Sequence, residues 1–202
     1  DNKKLANTFT ADADIVAQRF KRMDYNYDLI SGNVHSVSYQ NSNVDAWHHV
    51  YDYDADNRIT EVYTSDEIKT LSSIETQAPG GSMINDVLGN HLWERESKYF
   101  YYSHGPLARV EIGDNQVQGI DYVYTLQGWI KGVNSNTLNT NNDPGKDGDI
   151  NLSGNLNKNF ARDVYGYSLN YFTNDYQSIE PANHGTASFT ASIAGSDVEN
   201  NR

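Results

Sequence analysis

Apolar and polar residues alternate with a period of two along much of this chain. In "WHHVYDYDADNRITEVY", Tyr51 and Tyr53 share one face of an extended segment and Asp52 and Asp54 share the other. Polar turn residues follow, and the alternation restarts at Ile59. The pattern predicts a strand, a short turn and a second strand. The same unit reads in "YNYDLISGNV" (Tyr25–Val34), "FYYSHGPLARV" (Phe100–Val110) and "YVYTLQGWI" (Tyr122–Ile130). Each has an aromatic, one intervening residue and a tyrosine, then a small oxygen-bearing residue: Asp28, Asp54, Ser103 or Thr125. A branched aliphatic resumes the alternation at Val34, Ile59, Val110 and Ile130.

The second tyrosines, Tyr27, Tyr53, Tyr102 and Tyr124, lie 26, 49 and 22 positions apart, so the middle gap spans two periods. Two strands and two short turns need about 20–25 residues, which is this period. The Asp, Ser or Thr oxygen accepts a backbone N–H two residues on and closes the turn. Gly32, Gly105 and Gly128 supply backbone freedom there. The expected fold is therefore mainly β, built of stacked antiparallel hairpins with few short helices. Residues 1–19 read as a lead-in and 20–135 as repeats with an irregular insertion at about 65–94. Residues 136–180 read as a polar loop with further repeat-like hairpins, and 181–202 as a polar tail. Thr10–Met23 fits either a short helix or an irregular strand.

Composition narrows the function. The net charge of −12 and the absence of any Lys/Arg run argue against nucleic-acid binding. With no cysteine, disulfides, zinc–thiolate sites and thiol nucleophiles are excluded. No apolar run reaches the roughly 20 residues of a membrane helix. The first and last residues read as those of a piece of a longer polypeptide.

Asp52, Asp54 and Asp56 alternate as calcium ligands do, but Asn57 and Tyr63 stand where a calcium loop needs glycine and glutamate. Asp147 and Asp149 form a second weak candidate, with Leu152 and Lys158 at the corresponding positions. Both stretches read first as turns. His48 and His49 are adjacent on a strand and face opposite ways, so they cannot chelate one ion. His35, His91, His104 and His184 are scattered. Glu94, Glu96 and Glu111 define no carboxylate pair, no G-x-S-x-G elbow occurs, and "APGGS" (Ala78–Ser82) lacks the Lys-Ser/Thr of a phosphate loop. No catalytic residue, metal or cofactor is assigned, and the reading is not that of an enzyme. Trp47 and Trp129 are the candidates for surface contact, although cross-strand aromatic pairs stabilise a sheet without any ligand.

The repeated aromatic-x-Tyr-Asp-x-x-Asn/Gly-Arg-aliphatic pattern resembles the YD repeat of the RHS (rearrangement hot spot) family. "RMDYNYDLISGNVHSVSYQ", "YDYDADNRITEVYTS", "YYSHGPLARVEIGDNQVQGIDYVYTLQGWIKGVNS" and "FARDVYGYSLNYFTNDYQSI" are similar to consecutive segments of large RHS-repeat proteins of Bacteroidota-type bacteria, over about residues 20–180. The motif positions are Tyr25, Tyr27, Asp28, Gly32, Tyr51, Tyr53, Asp54, Arg58, Tyr102, Ser103, Gly105, Arg109, Tyr122, Tyr124 and Gly128. The resemblance implies hairpins wound into a spiral sheet, part of a shell or cocoon, in a secreted or cell-surface protein. Toxin relatives enclose a C-terminal effector in such a shell, and teneurin-like relatives use it in adhesion. The self-cleaving core motif of the toxins is not legible here; "NDPGKDG" (Asn142–Gly148) reads as a loop. The implied partners are the chain's own neighbouring repeats, an enclosed effector, or secretion and surface machinery. The alternatives are an adhesin or binding module with an aromatic β surface for glycans or proteins, or a cargo or subunit of a secretion machine.

Overall fold

The computed structural model describes residues 20–41, 43–66, 93–140, 142–173 and 175–176. Among them are nine strands and no helix. They are β1 (Met23–Tyr27), β2 (Val34–Tyr39), β3 (Trp47–Tyr53), β4 (Ile59–Ser65), β5 (Glu94–Tyr101), β6 (Leu107–Ile112), β7 (Gln118–Tyr124), β8 (Ile130–Val133) and β9 (Tyr167–Ser168). The sheet is antiparallel and open, and its strand order follows the chain from β1 to β9. The fold is mainly β, as the alternation predicts. The chain divides into two compact units, Asp1–Glu96 and Ser97–Arg202.

Of the boundaries expected from sequence, the lead-in 1–19 and the tail 181–202 lie outside the described residues, as does most of the irregular insertion. Ser65 and Glu94, at the limits of that insertion, belong to β4 and β5. Between positions 136 and 180, where further hairpins are expected, the described residues form loops and the two-residue β9, which pairs with β8.

One turn geometry recurs. Asp54 N–H donates to the Arg58 carbonyl at 2.9 Å, and Asn57 N–H donates to the Asp54 carbonyl at 3.0 Å. Thr125 does the same with Trp129 and Gly128, at 2.8 and 2.9 Å. Tyr102 repeats it with Pro106 and Gly105, at 2.9 Å each. In every case the residue three past the closing position is left-handed: Asn57 at φ 61°, Gly105 at 117° and Gly128 at 84°. This is a three-residue hairpin loop whose last residue forms a bulge. The first hairpin is one residue longer, with Asp28 N–H on the Asn33 carbonyl at 2.8 Å and Gly32 left-handed at φ 76°. A register shift falls beside Tyr27, Tyr53, Tyr101 and Tyr124 alike.

The third hairpin corrects the alignment drawn from sequence. Tyr101, not Tyr102, occupies the place of Tyr53 and Tyr124, and it pairs with Leu107 as they pair with Ile59 and Ile130. The turn is closed by the backbone of Tyr102, so Ser103 sits inside the loop and Val110 three residues into β6. A run of four aromatics, Tyr99–Tyr102, satisfies the aromatic-x-Tyr pattern in two registers, and only the loop length distinguishes them.

The strands bury their more polar face in places where aromatic content would favour the other. In β7, Gly119, Asp121 and Val123 are buried, while Ile120, Tyr122 and Tyr124 are half-exposed. In β2 and β3 the buried residues are Ser36, Ser38, His48 and Val50. Val50, Tyr63 and Trp93 form the apolar centre of the first unit. His48, wholly buried, meets the Trp93 ring edge-on at 6.4 Å and shares a 2.9 Å hydrogen bond with Ser38 Oγ.

A Cβ built on Gly128 meets nothing within 4 Å, so only its left-handed backbone resists substitution. Gly128→Ala should lower stability by about 1–2 kcal/mol in urea unfolding, and Gly128→Asn by less, because asparagine tolerates this region.

Candidate functional site

The repeat positions identified by sequence divide into turn closers, strand tyrosines and one outlier. Asp54 spends both carboxylate oxygens on its own turn: Oδ1 accepts the N–H groups of Asp56 and Arg58 at 2.9 Å each, and Oδ2 accepts Arg58 Nε at 2.7 Å. Asp28 accepts Ile30 N–H at 3.0 Å and Ser31 Oγ at 2.8 Å, and Thr125 Oγ1 accepts Trp129 N–H at 3.2 Å. The N–H bonds to Asp28 and Asp54 hold both carboxyls below the ordinary 3.8. The tyrosines stack along the strands, Tyr25 on Tyr27 at 6.4 Å and Tyr51 on His49 at 6.2 Å. Their hydroxyls reach backbone beside them: Tyr53 Oη donates to the Val34 carbonyl at 2.8 Å and Tyr102 Oη to the Tyr122 carbonyl at 2.9 Å.

Asp52, Asp54 and Asp56 are not brought together. Asp52 faces Glu61 across the β3–β4 ladder, and its carboxyl is raised by burial first and by Glu61 second. Asp56 turns outward to Arg58 at 3.1 Å. A depression of about 350 Å³ beside these residues is lined by Asp28, His35, Tyr51, Asp52, Asp54 and Asn57. In the second loop Asp149 accepts Asn151 N–H at 3.0 Å near the surface, while Asp147 is buried elsewhere. Trp47 donates Nε1–H to His49 at 2.8 Å, and Trp129 packs on Tyr171 with ring centres 5.0 Å apart.

Arg109 is the outlier. Sequence gives it the role of Arg58, but it lies within β6 and projects into the second unit, opposite Asp121 of β7. Its Nη1 donates to Asp121 Oδ2 at 2.6 Å, its Nη2 to Asp147 Oδ1 at 2.7 Å and its Nε to Glu111 Oε1 at 3.2 Å. Phe160 lies beneath the guanidinium, 4.8 Å from its centre. Two glycines make room. A side chain on Gly119 would overlap Arg109 Nη2 and Asp147 Oδ2, and one on Gly145 would overlap Arg109 Nη1 and Asp121 Oδ2.

The loop that carries Asp147 is held by its own polar side chains. Asp143 Oδ2 accepts the Asp147 N–H at 2.9 Å. Asn155 Nδ2 donates to the Lys146 and Asp149 carbonyls at 2.8 and 2.9 Å, and Asn157 Nδ2 donates to the Gly145 carbonyl at 2.8 Å. One oxygen each from Asp121, Asp143 and Asp147 lies within 4.8 Å of the others. Asp163 stands against Asp143 and is pushed well up by burial, then by the Asp143 carboxylate. Burial lifts Asp121 to about 7 against the opposing pull of Arg109. Burial also raises Asp147, and Arg109 again opposes. For Arg109, burial lowers the pKa, but Asp121 and Asp147 outweigh it and keep the guanidinium charged.

A second buried pair lies nearby in sequence. Lys131 donates Nζ–H to Asp175 Oδ1 at 2.8 Å and to Asn170 Oδ1 at 2.7 Å, with Lys131 and Asp175 almost wholly buried. Burial raises the Asp175 carboxyl, but Lys131 and the Tyr171 N–H outweigh it and hold it below its ordinary value. Sequence reading did not single out Asp121, Asp143, Asp163, Lys131 or Asp175. The one local signal was an aspartate inside the alternating run "GIDYVY", two residues after a glycine. Compared with protein-family models and with curated proteins, the chain matches none.

Arg109→Leu leaves buried carboxylates without their cation, so it should cost about 3–5 kcal/mol in urea unfolding. Arg109→Lys should recover only part of this, because an ammonium cannot span two carboxylates as a fork does. Asp54 has a lowered folded-state pKa, so its contribution is complete above its ordinary 3.8 and is lost as pH falls through the lowered value. The stability gap between the wild type and Asp54→Asn should therefore be constant near neutrality and narrow below about pH 4. Denaturation curves across pH 2.5–7 (roughly the carboxylate range) check this.

Proposed function

We propose that this chain is a wall segment of an RHS/YD-repeat shell in a large exported bacterial protein, and that its role is structural, not catalytic. The observation that carries the reading is the recurrence of one hairpin geometry, with the same loop closure, left-handed residue and bulge beside a tyrosine, in strands that follow chain order. Such a wall works by covering strand edges with the next hairpin and by keeping an enclosed effector away from solvent and proteases. A second reading, an adhesive surface, is favoured by Trp47 and Trp129, which are 43% and 48% exposed.

Electron microscopy of the complete gene product should show these hairpins as part of a wound β wall around a lumen. A particle in which they form a separate lobe with no lumen would overturn the shell. A glycan array probed with the chain should stay blank; binding that disappears in Trp129→Ala would favour the adhesive surface instead.

A further inference from the structure

We propose that Asp121, Asp143 and Asp147, with Asp163 beside them, form a binding site for a divalent cation, Ca²⁺ by the chemistry of its ligands. Three observations carry this. First, the donors converge: one oxygen from each of the three residues lies within 4.8 Å of the others. That is no wider than the roughly 4.6–5.2 Å between opposite ligands in a Ca²⁺ shell with 2.3–2.6 Å bonds. Second, hydrogen bonding is incomplete where it is least expected. Asp143 is 3% exposed and Asp147 1%, yet Asp143 Oδ1 and Asp147 Oδ2 are out of solvent with no donor. Asp147 Oδ2 lies over Gly119, beside the Arg109 guanidinium. Buried carboxylate oxygens almost always have a partner, and an anionic oxygen left without one is costly.

Third, the charges do not balance. Arg109 pairs with Asp121 and Asp147, and Glu111 also draws on it. Asp143 has no ion pair with it. A divalent cation among Asp121, Asp143 and Asp147 would offset this excess and give the buried Asp143 and Asp147 carboxylates the partner they lack. Oxygen-only carboxylate donors select a hard ion over zinc or copper. The loop backbone is held by Asn155 and Asn157 and by Asp143 Oδ2, which leaves Asp143 Oδ1 and Asp147 Oδ2 uncommitted to it. This differs from the loop-type candidates read from sequence: Asp149 is left out, and Asp121 comes from a strand 26 positions before Asp147. The proposal is independent of the shell reading.

The test uses the full 202-residue chain. It is stripped with chelator and titrated with Ca²⁺ by calorimetry, and in parallel with Tb³⁺ followed by aromatic-sensitised luminescence. The wild type should bind one Ca²⁺ with a Kd in the roughly micromolar-to-millimolar range and melt at higher temperature in its presence. Asp143→Asn should weaken binding at least about tenfold and abolish the melting shift, whereas Asp149→Asn should change neither. If Asp143→Asn fails to fold, Asp163→Asn serves instead, with the same loss expected. Absence of binding at about 10 mM Ca²⁺ by a folded wild type would overturn the site, as would equal binding by Asp163→Asn and Asp149→Asn.

Discussion

The hairpins β3–β4, β5–β6 and β7–β8 depend on one backbone constraint, a left-handed residue placed three positions after the residue that closes the turn. Asn57, Gly105 and Gly128 fill that place, and Gly32 fills its counterpart in the longer first loop. The bulge falls beside a tyrosine in β1–β2, β3–β4, β5–β6 and β7–β8 and sets the register of those strand pairs, whereas β2–β3 and β6–β7 pair without a shift. Register matters here because the side-chain period is two, so a slip of one residue would exchange the faces of an entire strand. In β7 that exchange would expose Asp121 and Val123 and bury Ile120, Tyr122 and Tyr124. The turn therefore decides what the second unit places at its centre.

What it places there is a guanidinium. Buried charge is expensive, and Arg109 is tolerated because each face of its head is engaged: carboxylates along the edge, Phe160 against the plane, and glycines where any side chain would intrude. The arrangement shares one logic with the Lys131–Asp175 pair, where an amide and a backbone N–H complete the ligands of a buried ion pair. It departs from that pair in its excess of acid. Lys131 and Asp175 balance, while the Arg109 cluster gathers more carboxylates than one cation neutralises, and burial raises the pKa of several of them.

The tyrosines have a different part. Apart from the buried Tyr63 and Tyr176, those described are half-exposed or exposed, some stacked along strands and some, like Tyr53, Tyr102 and Tyr171, donating hydroxyls to nearby carbonyls. A sheet dressed this way carries ring contacts on one side and a polar, hydrogen-bonded interior on the other.

Sequence alone specifies the strands, the hairpins and the chemistry of most turns, because each depends on residues within about ten positions: the period-two alternation, an Asp oxygen two residues, or the Thr125 oxygen four residues, from an N–H it accepts, a glycine where the backbone turns left-handed. It misplaced the third hairpin by one residue, since four successive aromatics satisfy the motif in two registers. Which face lies inside and which acids meet depend on tertiary packing. Arg109 and Asp147 are 38 positions apart, Lys131 and Asp175 are 44 apart, and nothing in the local pattern of either partner announces the other. Arg58 and Arg109 fit the same motif position, yet the first braces its own turn while the second is buried among distant carboxylates. The physical reason is that a local motif fixes where a side chain leaves the backbone, whereas the loop folded over that face fixes what it meets.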